Sequence, residues 1–266
     1  MFDLSGWFIA DCHVHGPARD GSLWQPFHAM RNYKDYLRYL RRCGIRVAVQ
    51  NTKDAVLARS AAVLRDANEH ALKTAAEGTA RRLRIIPACI THPRFPRVSA
   101  AILRRFRQAG SCWAGEVCPY AAGYPADRKN LFVMAEVLEG EGFVFQMHQI
   151  GAELMEELAE GFPALTLVFS HLGQPAGTIP GRLEVARRRP NVYLDIAASG
   201  HERMGAIELG VEMGIVDQLL YGSDFPINEP AGPIVRILNA RIPIAAKRKI
   251  LGGNLRRILA AGGVRI

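Results

Sequence analysis

Phe8-Ile9-Ala10-Asp11-Cys12-His13-Val14-His15-Gly16, residues 8–16, is the stretch on which the fold reading turns. An apolar run ending in His13-Val14-His15 predicts a buried strand with two imidazoles at its carboxyl end. Side chains along a strand alternate with period two, so residues 11, 13 and 15 share a face and both histidines aim at one point. Neutral imidazole nitrogens that converge in this way suit a borderline cation such as zinc. Taken alone, two histidines one residue apart are also what two polar residues closing a strand would look like, so the motif depends on partners elsewhere.

Those partners stand at the ends of further apolar runs. Residues 45–49 and 84–90 predict strands two and three. Residues 112–117 predict a fourth, carrying Glu116 where a buried strand should be apolar. Residues 143–148 end in His148, 165–171 end in His171, 192–196 carry Asp195, and 218–224 end in Asp224. Helical patterns lie between them: 31–43, one long amphipathic helix from an Asp54 N-cap to about Glu77, a helix striped by Val98, Ile102 and Phe106, one ending near Glu139, one over 152–160, and one before Pro190. Residues 17–30, with Trp24, Phe27 and His28, read as a long loop after the first strand, placed to act as a lid or pocket wall.

Eight strands alternating with helices predict a parallel sheet closed into a (β/α)8 TIM barrel, and the 266 residues suit that fold, for which about 250 is typical. No GxGxxG or GxxxxGK[ST] pattern follows any strand, which argues against a dinucleotide fold or a phosphate loop. In a closed parallel barrel every strand ends at one rim. His13, His15, Glu116, His148, His171 and Asp224 therefore converge, although each alone has an ordinary structural explanation. The joint reading is a metal site.

Composition sets the frame. Hydrophobic residues make up 49% and charged residues 22%, a globular balance without linker or low-complexity tracts, so residues 1–266 are read as a single domain. Met1-Phe2-Asp3-Leu4 lacks the basic and apolar regions of a secretory signal, and no apolar run reaches membrane-spanning length, so the cytoplasm is the expected compartment and no membrane partner is expected. Five cysteines, Cys12, Cys43, Cys89, Cys112 and Cys118, follow no CxxC spacing and are read as reduced. The net charge of +9 comes largely from Arg41-Arg42, Arg81-Arg82, Arg104-Arg105 and Arg187-Arg188-Arg189, which read as solvated helix faces. That argues against a nucleic-acid partner and leaves a mild pull on anionic small molecules as substrates. Homo-oligomerisation is left open.

With these pieces in place, the chain resembles the amidohydrolase superfamily, in particular its amidohydrolase-2-like branch of decarboxylases and lactone or amide hydrolases. The resemblance rests on Asp11-Cys12-His13-Val14-His15, Met147-His148, Ser170-His171-Leu172-Gly173 and Tyr221-Gly222-Ser223-Asp224-Phe225-Pro226, with Asn254-Leu255-Arg256-Arg257-Ile258-Leu259 similar to the start of that branch's C-terminal helix. Glu116 instead looks like the strand-four glutamate of the TatD-type nucleases and related two-metal members. The resemblance implies one or two divalent ions, zinc by default, with manganese, cobalt or iron also compatible with a nitrogen and oxygen shell. One ion would use His13, His15, His148 and Asp224; two would divide them as His13, His15 and Asp224 against His148 and His171, with Glu116 between.

The chemistry so implied is hydrolysis of a carbonyl ester, lactone or amide of a small, anionic substrate by a metal-bound hydroxide, since a cation lowers the pKa of bound water to roughly 7. Asp224 would carry the proton to the leaving group, and His171, if not a ligand, would polarise the carbonyl. Asp11 would orient an imidazole. His92, Arg94, Tyr120 and His201 follow strands three, four and seven and are placed to touch substrate. The competing expectations are a non-oxidative decarboxylase on the same scaffold, a TatD-like metal-dependent nuclease, and a barrel that binds metal or ligand without catalysis.

Overall fold

Among the described residues, eight parallel strands form from the eight apolar runs: β1 Ile9–Gly16, β2 Ile45–Thr52, β3 Arg84–Pro87, β4 Trp113–Val117, β5 Val144–Met147, β6 Leu167–Phe169, β7 Val192–Asp195 and β8 Leu219–Leu220. The structure, a computed structural model, describes residues 4–80 and 82–266; Met1, Phe2, Asp3 and Arg81, read above in the amino terminus and in an arginine pair, lie outside the described residues. The ladders run β1-β2-β3 and β4 through β8. Parallel bridges Cys89↔Ala114 and Val14↔Phe225 join the two sheets at both seams. At the second seam His15 N–H donates to the Phe225 carbonyl (2.7 Å) and Asp224 N–H to the His13 carbonyl (2.9 Å). The result is a closed (β/α)8 barrel.

Two apolar layers hold it together. Inside, Ala10, Cys12, Val47, Val49, Ile86, Ala88, Trp113, Val144, Val168 and Leu220 pack with Leu255, Ile258 and Leu259, so the C-terminal helix Asn254–Ala261 plugs the end where the strands begin. Asn254 anchors that helix, its amide donating to the Val216 and Leu219 carbonyls at 2.8 Å each. Outside, strand residues such as Ile9, Ile85, Phe145 and Leu194 meet helix residues such as Leu40, Leu64, Phe106 and Leu131. With one mouth filled, the polar ends of the strands are left at the other.

Two expectations are corrected. The single helix from Asp54 to Glu77 is two helices, Lys53–Val56 and Ala61–Gly78, because the chain turns out after Val56 and Ser60 caps the second by accepting from Val63 N–H. Asp54 caps nothing; its carboxylate takes the Arg19 Nε–H at 3.0 Å. Strict alternation along β1 also fails. A register irregularity lies between Asp11 and Val14, so Cys12 packs inside the barrel while Asp11 turns to the layer of Tyr36 and Tyr221. Asp11 therefore does not share the face of His13 and His15.

Candidate metal centre

Six of the expected residues gather at the open mouth. The donor atoms of His13, His15, Glu116 and Asp224 lie within 4.8 Å of one another, as do those of Glu116, His148 and His171. Glu116 joins the two groups with different oxygens. Its Oε2 stands 3.1 Å from His13 Nε2 and 3.7 Å from His15 Nε2; its Oε1 stands 3.0 Å from His148 Nδ1 and 3.7 Å from His171 Nε2. Asp224 Oδ1 lies 2.9 Å from His15 Nε2 and 3.4 Å from His13 Nε2.

Each position follows from local backbone chemistry. Gly115, at φ 129°, lets β4 pass so close to Gln146 that a Cβ there would collide with its carbonyl. His171 and Asp224 adopt left-handed backbone at φ 66° and 61°, a conformation that costs a non-glycine residue of order 1–3 kcal/mol and persists only where surroundings hold it. They do so here. His171 N–H donates to Asp195 Oδ1 (2.9 Å), and buried Arg182 donates to the Ser170, His171 and Leu172 carbonyls behind it. Asp224 Oδ2 accepts from the Asn228 amide at 2.8 Å.

Hydrogen bonds on the far side of the rings decide which nitrogen is free. His13 Nδ1–H donates to Asp195 Oδ2 (2.9 Å), His15 Nδ1–H to Asn51 Oδ1 (2.8 Å) and His171 Nδ1–H to the Ala197 carbonyl (3.0 Å). Each Nε2 is thereby left with a lone pair aimed at a carboxylate oxygen. Lone pairs that close repel unless a proton or a cation lies between them, so the donor set fits a divalent cation. Without one, protons take the role. Burial disfavours an imidazolium at His13, yet the Glu116 and Asp195 carboxylates outweigh it and hold His13 well above its ordinary value. Burial likewise opposes charge on Glu116, but His13, with His148 and His171, holds its carboxyl well below the usual range. Asp195 is lowered to about 2, burial being overcome by His13 and His171.

The remaining expected residues divide. Asp11 orients no imidazole: its Oδ1 accepts the His13 and Ser223 backbone N–H groups, each at 3.0 Å, tying β1 to the turn before Asp224. Burial pushes its carboxyl up to about 7, against the hydrogen bonds from Ser223 and His13. His92 is buried away from the mouth between Phe95 and Tyr124, its Nδ1 accepting from Arg94 N–H. Arg94 reaches the Gly123 carbonyl instead of the cluster. His201 is turned to Glu202 and Arg236. Tyr120 does reach the centre, its ring edge-on to His148 with centroids 5.1 Å apart, and Trp24 of the 17–30 loop lies against His15 at 5.1 Å.

Besides Asn228 and Arg182, other contributors escaped the sequence reading of the site. Asp195 and Asn51 back the first two histidines. Gln146 links Trp113 to Asp195, accepting from the indole (2.8 Å) and donating to the carboxylate (3.1 Å). Cys118 donates its S–H to Glu116 Oε2 at 3.1 Å. Asp195 was visible as a carboxylate at a buried strand's end; Asn51 and Gln146, ordinary polar residues, carried no signal.

A profile of the amidohydrolase family matches residues 10–260. No curated protein matches the chain. Among solved structures, an uncharacterised TIM-barrel protein from Bordetella bronchiseptica shares 20% identity at a TM-score of 0.75, over 96% of this chain and 99% of that one. A 2,6-dihydroxybenzoate decarboxylase from Rhizobium shares 13% at 0.74, over 96% and 99%. A dihydroxybenzoic acid decarboxylase from Polaromonas, with bound manganese and the inhibitor 2-nitroresorcinol, shares 14% at 0.69, over 95% and 97%. At these identities the likeness is one of fold.

Proposed function

The chain belongs to the amidohydrolase family, and from that premise we propose that it is a metal-dependent hydrolase of carbonyl esters, lactones or amides of a small, anionic substrate. The observation that carries this reading is the division of Glu116, one oxygen facing His13 and His15 and the other facing His148 and His171. With Glu116 shared, His13, His15 and Asp224 would hold one cation and His148 and His171 a second, and a metal pair of this kind would stabilise charge on the reacting oxygens. Bound divalent metal supplies a polarised carbonyl and a water that is nucleophilic at neutral pH. Zinc is our default assignment; manganese, present in the Polaromonas structure, suits the same shell.

The chain's own groups do the rest. Asp224 accepts the proton of the attacking water on Oδ1 and returns it to the leaving group, while Asn228 holds its other oxygen. His13, His15 and His171 are kept as Nδ1–H tautomers by Asp195, Asn51 and Ala197, so their Nε2 atoms face inward without reorganisation. The chain's net charge of +9 favours an anionic substrate. Nucleic acid is a poorer fit, since Arg187, Arg188 and Arg189 pair with Glu156, Glu160 and Glu184 on the helical exterior. Among the described residues no helix is long and apolar enough to cross a membrane.

Non-oxidative decarboxylation is the second reading, favoured by the extent of likeness to the dihydroxybenzoate enzymes. Turnover in ¹⁸O-labelled water separates the two. Hydrolysis places one labelled oxygen in the acid product. Carbon dioxide release without label in the organic product would overturn the hydrolase reading.

A further inference from the structure

The turn after Glu116 is held more firmly than a surface turn needs. Pro119–Ala122 forms one helical turn directly beyond β4, with Pro119, Ala121 and Ala122 buried and Gly123 closing it at φ 80°. Arg59 donates to the Ala121 carbonyl (3.3 Å) and Arg94 to the Gly123 carbonyl (3.0 Å), so guanidiniums from two other loops grip its end. Behind it Tyr124 is buried with its hydroxyl on the Met134 sulfur.

On this pedestal Tyr120 alone stands out, 66% exposed. Among the described residues no group accepts a hydrogen bond from its hydroxyl. Its ring packs on His148, and its phenol lies within electrostatic range of Glu116 and Asp224. Trp24 covers the other histidine group from the side of His15. A fixed backbone, a ring braced on a member of the centre and an unused donor together describe a side chain kept in place for something that enters the mouth. A phenol is protonated at neutral pH, so it offers a hydrogen bond.

We propose that Tyr120 contacts the substrate, its hydroxyl donating to the carbonyl oxygen that gains negative charge when water adds. The proposal rests on the hydrolase reading. In that step the water oxygen bonds to the carbonyl carbon, the C=O electron pair moves onto oxygen, and the water proton goes to Asp224. Tyr120 keeps its own proton throughout and stabilises the oxyanion from the His148 side.

The test uses metal-reconstituted protein and ethylphosphonate, a tetrahedral anion shaped like the attacked carbonyl that is not itself turned over. Tyr120→Phe weakens ethylphosphonate binding about tenfold by calorimetry, as expected for a lost hydrogen bond to a charged group, and Tyr120→Leu weakens it no further. Metal content by mass spectrometry stays at the wild-type value in both. On p-nitrophenyl acetate and dihydrocoumarin, Tyr120→Phe lowers kcat by about 10- to 100-fold and leaves KM nearly unchanged. Equal binding by wild type and Tyr120→Phe, no binding by wild type, or a loss confined to Tyr120→Leu overturns the proposal whether or not the esters react. Weakened binding in a protein that hydrolyses neither ester nor lactone upholds the contact and counts against the hydrolase reading instead.

Discussion

The two halves of the centre are built to different standards. In the first, His13, His15 and Asp224 are buried, both imidazoles rest on side-chain acceptors, and Asp224 is held by Asn228. In the second, His148 keeps 24% of its side chain exposed with Tyr120 as its neighbour, and His171 rests on a backbone carbonyl. A cation entering the first half meets donors already desolvated and aimed; one entering the second meets a ring in contact with solvent. Preorganisation is therefore uneven, and the first half is expected to bind tightly while the second exchanges. Among the described residues, Glu116 is the one that belongs to both.

That inequality can be broken or sharpened by experiment. The largest effect is expected from residues on which the tight half depends: Glu116→Gln, His13→Ala or Asp224→Ala should lower turnover by more than about 1000-fold with circular dichroism unchanged, and normal activity in any of them would remove the mechanism. His148→Ala should lose one metal equivalent and retain the other, counted by mass spectrometry after dialysis; loss of both would show the halves to be one site. Asp195→Asn, which leaves His13 in place but weakens its backing, should reduce metal affinity by about 10- to 100-fold in competition with a chelating dye.

The smallest effect is a pH slope. His13 is raised above its ordinary value in the metal-free protein, so protonation stabilises that form below the ordinary pKa and the benefit is lost as pH rises through the folded value. A cation must displace this proton. Affinity should therefore weaken by about tenfold for each pH unit of acidification below the raised pKa, and calorimetry in buffers of different ionisation enthalpy should register the released proton. Uptake independent of pH would contradict the raised pKa of His13 in the metal-free protein.

The first half was the more legible in the sequence because its histidines sit one residue apart at the end of an obvious strand. The second needed the barrel, since His148 and His171 are single histidines at separate strand ends. What stayed hidden has a common cause. Asp195 is 182 positions from His13 and Asn51 is 36 from His15, and nothing local marks either as a partner. Asp11 misled for the opposite reason: period-two alternation is a local rule, and an irregularity in β1 set by pairing with its neighbour overrode it. The helix expected from Asp54 failed in the same way, apolar spacing continuing through Leu57 while the backbone left the helix, with Leu57 39% exposed.

By itself the amino-acid sequence determined the alternation of strands and helices, and with it a closed barrel whose polar strand ends must share a rim, because periodicity and burial are properties of short segments. Only the tertiary structure decided which nitrogen of each histidine faces inward, how Glu116 divides its oxygens, and which of Asp11, His92, Arg94, Tyr120 and His201 reaches the mouth. Those outcomes depend on hydrogen bonds and packing between segments far apart in the chain, whose directions exist only once the barrel has closed.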